Sequence, residues 1–179
     1  PRSLAGAASV RPQPGAPGRG IGGGQARNLP RVARQRRDVK GYGLEVSTEM
    51  LATAAARVKA RKLDSRITLR HCYAEQLDYA KTFGLDAPFD AAFFSYSLSM
   101  IPTWAPAIDT ALNNIKRGGV LYVVDFWDQG GWPGFFRIIL KRWLDLFHVI
   151  YRPELLEYLQ ELDARGVGTL NLDSSAGRC

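Results

Sequence analysis

The stretch that decides the fold is GIGGGQARNLPRVARQRRDVKGYGLEVS, residues Gly20–Ser47. It holds a glycine-rich turn at Gly22–Gly24, a short helical run from Asn28 to Arg37, and an apolar strand from Val39 to Leu44 that ends at Glu45. Glu45 lies 23 residues after the first of the three glycines. A glycine turn that opens a helix, with a carboxylate about 20 residues later at the end of a strand, is the layout of a dinucleotide-binding fingerprint. The stretch therefore predicts a site for a nucleoside.

Downstream of this stretch, apolar strands alternate with helices. Ser47 is predicted to begin a helix with Glu49 in its first turn, because a hydroxyl cap and an acid both suit the positive end of a helix. Another helix is predicted from Pro153 to Asp163. Strands are predicted at Ile67–Cys72, Phe89–Ser95 and Gly119–Phe126. A further helix is predicted at Trp104–Ile115, and the run Lys116–Gly119 is predicted to end it. Strands alternating with helices predict an α/β fold with a parallel sheet.

The positive charge of the chain lies at its beginning. The 179 residues carry a formal net charge of +7. Residues 1–40 hold nine arginines and lysines against one acid, a net charge of +8, and the other residues have a net charge of −1. The arginines lack interleaved aromatic side chains and precede the apolar segments, so nucleic-acid binding is the weakest of the functional hypotheses.

The sequence predicts neither a metal site nor a membrane span. The two cysteines, Cys72 and Cys179, and the two histidines, His71 and His148, lack the paired spacing of metal ligands. No apolar run reaches the length of a spanning helix. The expected location is the cytoplasm.

The two ends of the chain fit the pattern least. Residues 1–20 are basic and rich in Pro and Gly and are predicted to be disordered, residues 21–165 to form one domain, and residues 166–179 to be a disordered or poorly ordered tail. Because Pro and Gly oppose strand pairing, no strand is predicted directly before Gly22. Near the end, only residues 167–172, VGTLNL, offer a poor strand. The sheet is therefore predicted to be incomplete, and the chain to be truncated or misread from its gene at its ends.

In the glycine-rich stretch and in several segments after it, the chain resembles class I S-adenosylmethionine-dependent methyltransferases. GIGGGQA, Gly20–Ala26, is similar to that family's acid-x-Gly-x-Gly-x-Gly turn, with Gly20 in place of the acid and Ala26 in place of the third glycine. Glu45 matches the acid that takes the ribose hydroxyls, and CYAEQL, Cys72–Leu77, matches the stretch that touches adenine, with Tyr73 in place of an acid. The resemblance covers roughly residues 20–162. It implies a Rossmann-like, mostly parallel sheet with flanking helices, the cofactor S-adenosyl-L-methionine, and cofactor-binding roles for Gly22, Gly24, Glu45, Ala74, Glu75 and Ser95.

One branch of that family resembles the chain further. Residues 93–102, FFSYSLSMIP, and residues 118–155 are similar to the diacylglycerylhomoserine N-methyltransferase of bacterial betaine-lipid synthesis, which is related to phosphatidylethanolamine N-methyltransferases. This resemblance implies an amine acceptor on a lipid headgroup. The helix predicted after Pro133 then has two interpretations. It either covers the sheet as an ordinary domain helix, or contacts the inner face of a membrane through aromatic side chains flanked by cations, which are Trp132, Phe135, Phe136, Trp143, Arg137, Lys141 and Arg142.

Two residues are candidates for catalysis. Tyr96 follows the strand Phe89–Ser95 at its carboxyl end, where ligands bind in open α/β sheets. Its ring either packs or stabilises a cation, such as the sulfonium or the amine. Deprotonation of the amine is assisted by a nearby acid, such as Asp125 or Asp128, or by a water path. The other interpretation of Asp125 is that it anchors a helix or a loop. The alternative hypothesis is that the chain is a non-catalytic remnant of such an enzyme. A sheet without its middle strand would leave buried backbone groups unpaired, and each such group costs about 1–3 kcal/mol of stability.

Overall fold

The fold is a seven-stranded sheet with helices on both faces, seen in a computed structural model that describes residues 6–8, 19–23, 39–125 and 154–173. In chain order the strands are β1 (Gly6–Ala8), β2 (Arg19–Gly23), β3 (Lys40–Glu45), β4 (Ile67–His71), β5 (Phe89–Ser95), β6 (Ile115–Asp125) and β7 (Leu172–Asp173). The helices are α1 (Thr48–Ala60), α2 (Tyr79–Phe83), α3 (Trp104–Asn113) and α4 (Glu154–Ala164), with one 3₁₀ turn at Ala74–Gln76.

The strand order is β4-β3-β2-β5-β6-β1-β7. Neighbouring strands from β4 to β6 pair in parallel, whereas β1 pairs antiparallel with both β6 and β7. Parallel neighbours require crossover connections, and in the described residues α1 lies in the connection from β3 to β4 and α3 in the one from β5 to β6. The α/β fold with a mostly parallel sheet, predicted from the alternation of segments, is confirmed.

The prediction of a missing middle strand is wrong. Strand β2 lies in the centre of the sheet, where it pairs in parallel with β3 on one side and β5 on the other. The intrinsic β-propensity of Arg19–Gly23 is low, but two flanking strands supply ladder bonds on both sides, and tertiary context overrides propensity in strands. Gly6–Ala8 also pairs in the sheet, although residues 1–20 are predicted to be disordered. The division into domains stays a prediction.

Helix α1 begins as its sequence predicts. Ser47 is the N-cap, and its hydroxyl accepts a hydrogen bond from the Met50 N–H at 3.2 Å. Lys62 follows the helix in the left-handed region, with φ of 55°. The Lys62 and Leu63 amides return hydrogen bonds to the carbonyls of Lys59 and Val58, so the chain turns directly into β4.

Two apolar layers hold the helices to the sheet. The larger layer joins β3, β5 and β6 to α3 and α4, and its largest fully buried side chains are those of Phe89, Leu98, Ile108, Val123 and Leu155. The smaller layer packs α1 against β4 and includes Val58, Leu63 and Ile67. Phe93 packs against the smaller layer and Phe94 belongs to the larger one, as alternation along a strand requires.

The Lys116–Gly119 run does not end a helix, contrary to the sequence prediction. Helix α3 ends at Asn113, and the run belongs to β6. Gly118 has φ of 76°, and the pairing of β5 with β6 is irregular between Phe89 and Ala91. A Cβ atom on Gly119 would lie 2.7 Å from the backbone oxygen of Asp90. The two glycines therefore let β6 begin at Ile115, before the predicted start at Gly119, and let it pass close to β5. The sequence pattern of Lys116–Gly119 indicates the end of a helix and does not reveal this pairing.

Two predicted helices, Asn28–Arg37 and the one after Pro133, lie outside the described residues. Within the described ranges, no helix is both long and apolar enough to cross a membrane.

Candidate functional site

The predicted site residues meet where the parallel strands end, called here the carboxyl edge. Gly22 pairs with Gly43 of β3 and with Phe93 of β5, and Gly23 pairs with Leu44 and Phe94. Glu45 is the next residue of β3 after Leu44. The glycines and the acid thus reach the same edge from adjacent strands, as a shared nucleoside site requires.

The glycines do not form a turn at Gly22, which is where the sequence places one. Gly22 and Gly23 are the last two residues of β2, and Gly24 lies outside the described residues. Since neither Gly22 nor its partner Gly43 carries a side chain, the two backbones come together without side chains at this point of the sheet. The glycines thus end a strand at the carboxyl edge.

The Glu45 carboxylate is held over the edge by its own backbone. Oε1 accepts hydrogen bonds from the Val46 N–H at 2.9 Å and the Ser47 N–H at 3.1 Å. The ring of His71, opposite Glu45 in the ladder, bonds the Val46 carbonyl through Nε2 at 2.8 Å. Within the described part of the chain Oε2 makes no hydrogen bond, so it is the oxygen placed to accept from a ligand.

Ala74 and Glu75 form the 3₁₀ turn after β4, and side chains of α3 hold that turn. The Thr103 hydroxyl donates to Glu75 Oε1 at 2.8 Å, and the Thr110 hydroxyl donates to the Glu75 carbonyl at 3.2 Å. Ala74 is half-buried against the larger apolar layer. The Glu75 carboxylate is therefore tied to a neighbouring loop, a contact that spacing in the sequence cannot show.

The thiol of Cys72 lies beside this turn in neutral form. Burial raises the pKa of Cys72, and the Glu75 charge adds to the rise, while a hydrogen bond with Thr82 acts in the opposite direction. A thiol with a raised pKa is a poor nucleophile at neutral pH. The site gives no indication of covalent cysteine chemistry.

Ser95 ends β5, the strand that pairs with the glycines of β2, and Tyr96 directly follows it. The Tyr96 N–H continues the ladder by donating to the Val124 carbonyl at 2.7 Å. Tyr96 then takes φ of 52°, in the left-handed region that disfavours residues with side chains, and remains 44% exposed. Such strain persists where surrounding contacts impose it, and it is concentrated at functional sites. The backbone thus turns sharply at Tyr96 and leaves its ring accessible at the edge.

Asp125 ends β6 and is buried, with 1% of its surface exposed. Its Oδ2 accepts a hydrogen bond from the Ser99 N–H at 3.1 Å. Leu98, next to Ser99, has no exposed surface. Asp125 therefore fastens the loop after β5 at its middle, and this geometry favours the anchoring interpretation over the catalytic one.

The carboxyl edge also exposes apolar side chains, and two of them, Val46 and Met100, are residues that the sequence predictions did not assign to the site. Of the six large hydrophobic residues that are exposed in the described ranges, four follow β3, β4 or β5 at this edge, namely Val46, Tyr73, Tyr96 and Met100. Exposed apolar groups that cluster at one edge indicate a binding surface. The sequence feature that could have indicated a binding role for Val46 is its position, as a hydrophobic residue directly after a strand. In the described ranges no cluster of three or more His, Cys, Asp or Glu side chains could hold a metal.

Comparisons with known proteins identify the family and the fold of the chain. A sequence model of the family Methyltransferase domain matches residues 20–119, more than half of the chain. The ubiquinone/menaquinone biosynthesis C-methyltransferase UbiE of Rhizobium leguminosarum bv. trifolii is 30% identical over 83 residues, which are 46% of this chain and 30% of that enzyme. The chain thus spans less than a third of that relative.

Two solved structures share the fold over most of the chain. The [4+2]-cyclase SpnF is similar with a TM-score of 0.62 and 27% identity, over 84% of this chain and 50% of SpnF. YjhP from E. coli is similar with a TM-score of 0.60 and 20% identity, over 85% of this chain and 59% of YjhP.

Proposed function

Because the chain belongs to the Methyltransferase domain family, we propose that it binds S-adenosylmethionine at the carboxyl edge and transfers the methyl group to a small acceptor. The observation that carries this proposal is the placement of Glu45. Glu45 is the last residue of β3, the strand that pairs with the glycines of β2, and two backbone amides fix one of its carboxylate oxygens. A fixed carboxylate with one free oxygen suits the two adjacent hydroxyl donors of a ribose.

The residues of the edge fit the other parts of this ligand as well. Val46 follows Glu45 directly and Tyr73 comes two residues after His71, the ladder partner of Glu45, and both residues are exposed. Exposed residues of this kind suit the faces of a purine. The predicted cofactor-binding residues Gly22, Glu45, Ala74, Glu75 and Ser95 all lie at the ends of neighbouring strands or directly after them.

Bound S-adenosylmethionine supplies an electrophilic methyl group. The residues of the chain then have to position the acceptor and exclude water, because effective concentration provides much of the rate in such displacements. We assign the orientation of the acceptor to Tyr96, because this exposed residue directly follows β5, the strand that pairs with the glycine end of β2. Asp125 holds the loop that carries Tyr96 through the Ser99 amide.

For the acceptor, we propose an amine on a lipid headgroup. The support is the exposure of Tyr96, an aromatic residue whose ring can stabilise a cation, and the exposure of Met100 four residues later, which offers apolar contact. The similarity of residues 93–102 to the betaine-lipid branch points the same way. The UbiE relative is named as a C-methyltransferase, so a carbon acceptor is the competing outcome.

The cofactor proposal is tested by calorimetric titration with S-adenosylmethionine. We expect Glu45→Ala to weaken binding by at least about tenfold, the effect of losing a hydrogen bond to a charged group. Glu49→Ala is the matched control, because Glu49 is an exposed acid four residues away. No heat with the unaltered chain, or equal affinities for the two variants, would refute the cofactor site.

The first of those results would favour the alternative, a non-catalytic chain of the same fold. The predicted lack of a middle strand no longer supports that alternative, because β2 occupies the middle of the sheet.

The acceptor proposal is tested by methyl transfer from labelled S-adenosylmethionine to dimethylphosphatidylethanolamine, with a quinol offered in parallel. We expect transfer to the amine, a loss in Tyr96→Leu and its retention in Tyr96→Phe, which keeps the aromatic face. Transfer to the quinol alone would replace the amine with a carbon or oxygen acceptor.

A further inference from the structure

We propose that Thr103 is a positioning residue that directs the Glu75 carboxylate toward the amino group of the adenine ring. This inference rests on the proposed function, because it concerns how the same site distinguishes one purine from another. The Thr103 hydroxyl does not make the capping hydrogen bond expected of its position.

Thr103 is the N-cap residue of α3, yet it does not cap the helix. A threonine at this position ordinarily accepts a hydrogen bond from a backbone amide of the first turn. Here its side chain makes no capping bond, and its hydroxyl donates to Glu75 Oε1 at 2.8 Å. The helix thus forgoes a local bond while the hydroxyl bridges to a residue 28 positions earlier in the chain.

The contact is one of a row along α3. Thr103, Thr110 and Asn114 follow one another at helical spacing, and all three bond the segment after β4. Thr110 and Asn114 bond only backbone atoms of that segment, through the carbonyls of Glu75 and Leu77 and the amide of Tyr79. Thr103 alone holds a side chain. Its contribution is therefore the direction of a carboxylate, whereas the other two fix the path of the backbone.

The orientation leaves one carboxylate oxygen for a ligand. Within the described residues, Oε1 is the Glu75 oxygen that the Thr103 hydroxyl occupies, and Oε2 has no hydrogen bond. Glu75 is half-buried, and the exposed ring of Tyr73 lies two residues before it. Tyr73 cannot accept as a carboxylate does, so the acid available in this turn to accept from an exocyclic amino group is Glu75. A directed acceptor discriminates against a ligand that presents an oxygen in place of the amino group.

Calorimetry with S-adenosylhomocysteine and S-inosylhomocysteine tests this inference, because the two differ in the group at that ring position. We expect the unaltered chain to prefer the adenosyl ligand by roughly tenfold or more. Thr103→Val should reduce the preference to about threefold or less, and Thr103→Ser should restore it, since serine supplies the hydroxyl again. Glu75→Gln, whose amide can donate to the oxygen of the inosyl ligand, should also lose the preference.

A purely structural role would not change this ratio. Thr53→Val is the matched control, because Thr53 is an exposed helical threonine whose hydroxyl bonds only the Glu49 carbonyl. Thermal unfolding of each variant separates lost folding from lost discrimination. An unchanged preference in Thr103→Val would overturn the inference. Binding of neither ligand by the unaltered chain would instead overturn the proposed function, and this inference with it.

Discussion

Replacing Asn114 by alanine should destabilise the protein by about 3 kcal/mol. The Asn114 side chain is 7% exposed and makes three hydrogen bonds. Its Oδ1 accepts from the Tyr79 N–H at 2.7 Å, and its Nδ2 donates to the carbonyls of Leu77 at 3.0 Å and Thr110 at 2.8 Å. Two of these bonds join α3 to the segment after the 3₁₀ turn. The variant loses them and leaves one backbone donor and one acceptor unpaired in a partly buried place.

The magnitude follows from those bonds. Each is worth about 1 kcal/mol net, and leaving a buried partner unpaired raises the cost to about 1–3 kcal/mol. The two bonds to the segment give a loss of about 3 kcal/mol. For a urea slope of about 2 kcal/mol per molar, the unfolding midpoint falls by about 1.5 M.

Urea unfolding followed by circular dichroism measures this shift. The control is Asn113→Ala, which removes the same side chain from the preceding, exposed position. Similar midpoints for the two variants would show that the Asn114 bonds to Leu77 and Tyr79 do not stabilise the fold.

Three further predictions address the sheet, α4 and the segment after Pro133. Gly119→Ala should cost about 2–3 kcal/mol in urea unfolding because the added methyl group has no room, whereas Gly168→Ala, in open space, should change little. Burial raises the pKa of Tyr158 to about 12, and its hydrogen bond to the Asp109 carboxylate adds to the rise. The neutral phenol is favoured in the folded state, so this stabilisation is complete below pH 10.0 and is lost as the pH rises toward 12; Tyr158→Phe should flatten that slope in unfolding measured across the window. If the predicted helix after Pro133 contacts membranes, Trp143→Asp should reduce flotation with anionic liposomes, and equal flotation would leave an ordinary domain helix.

The sequence determined the elements whose signals are local. The Ser47 cap, the acid at the end of β3 and the bounds of β5 all appear in the structure as predicted. Each depends on a few neighbouring residues, such as a hydroxyl before a helix or an apolar run between turns. The sequence also placed Glu45 at the edge it shares with the glycines of β2, because strands of a parallel sheet end together.

Only the tertiary structure decided what depends on partners distant in the chain. The central strand Arg19–Gly23 exists because β3 and β5 flank it, although its own residues favour no strand. The bond from Ser99 to Asp125 joins residues 26 positions apart, and the bond from Thr103 to Glu75 joins residues 28 positions apart. A sequence contains the donors and acceptors of such bonds but not their distances. These long-range hydrogen bonds form only when the helices pack against the sheet. They bring the segments that follow separate strands together at the carboxyl edge.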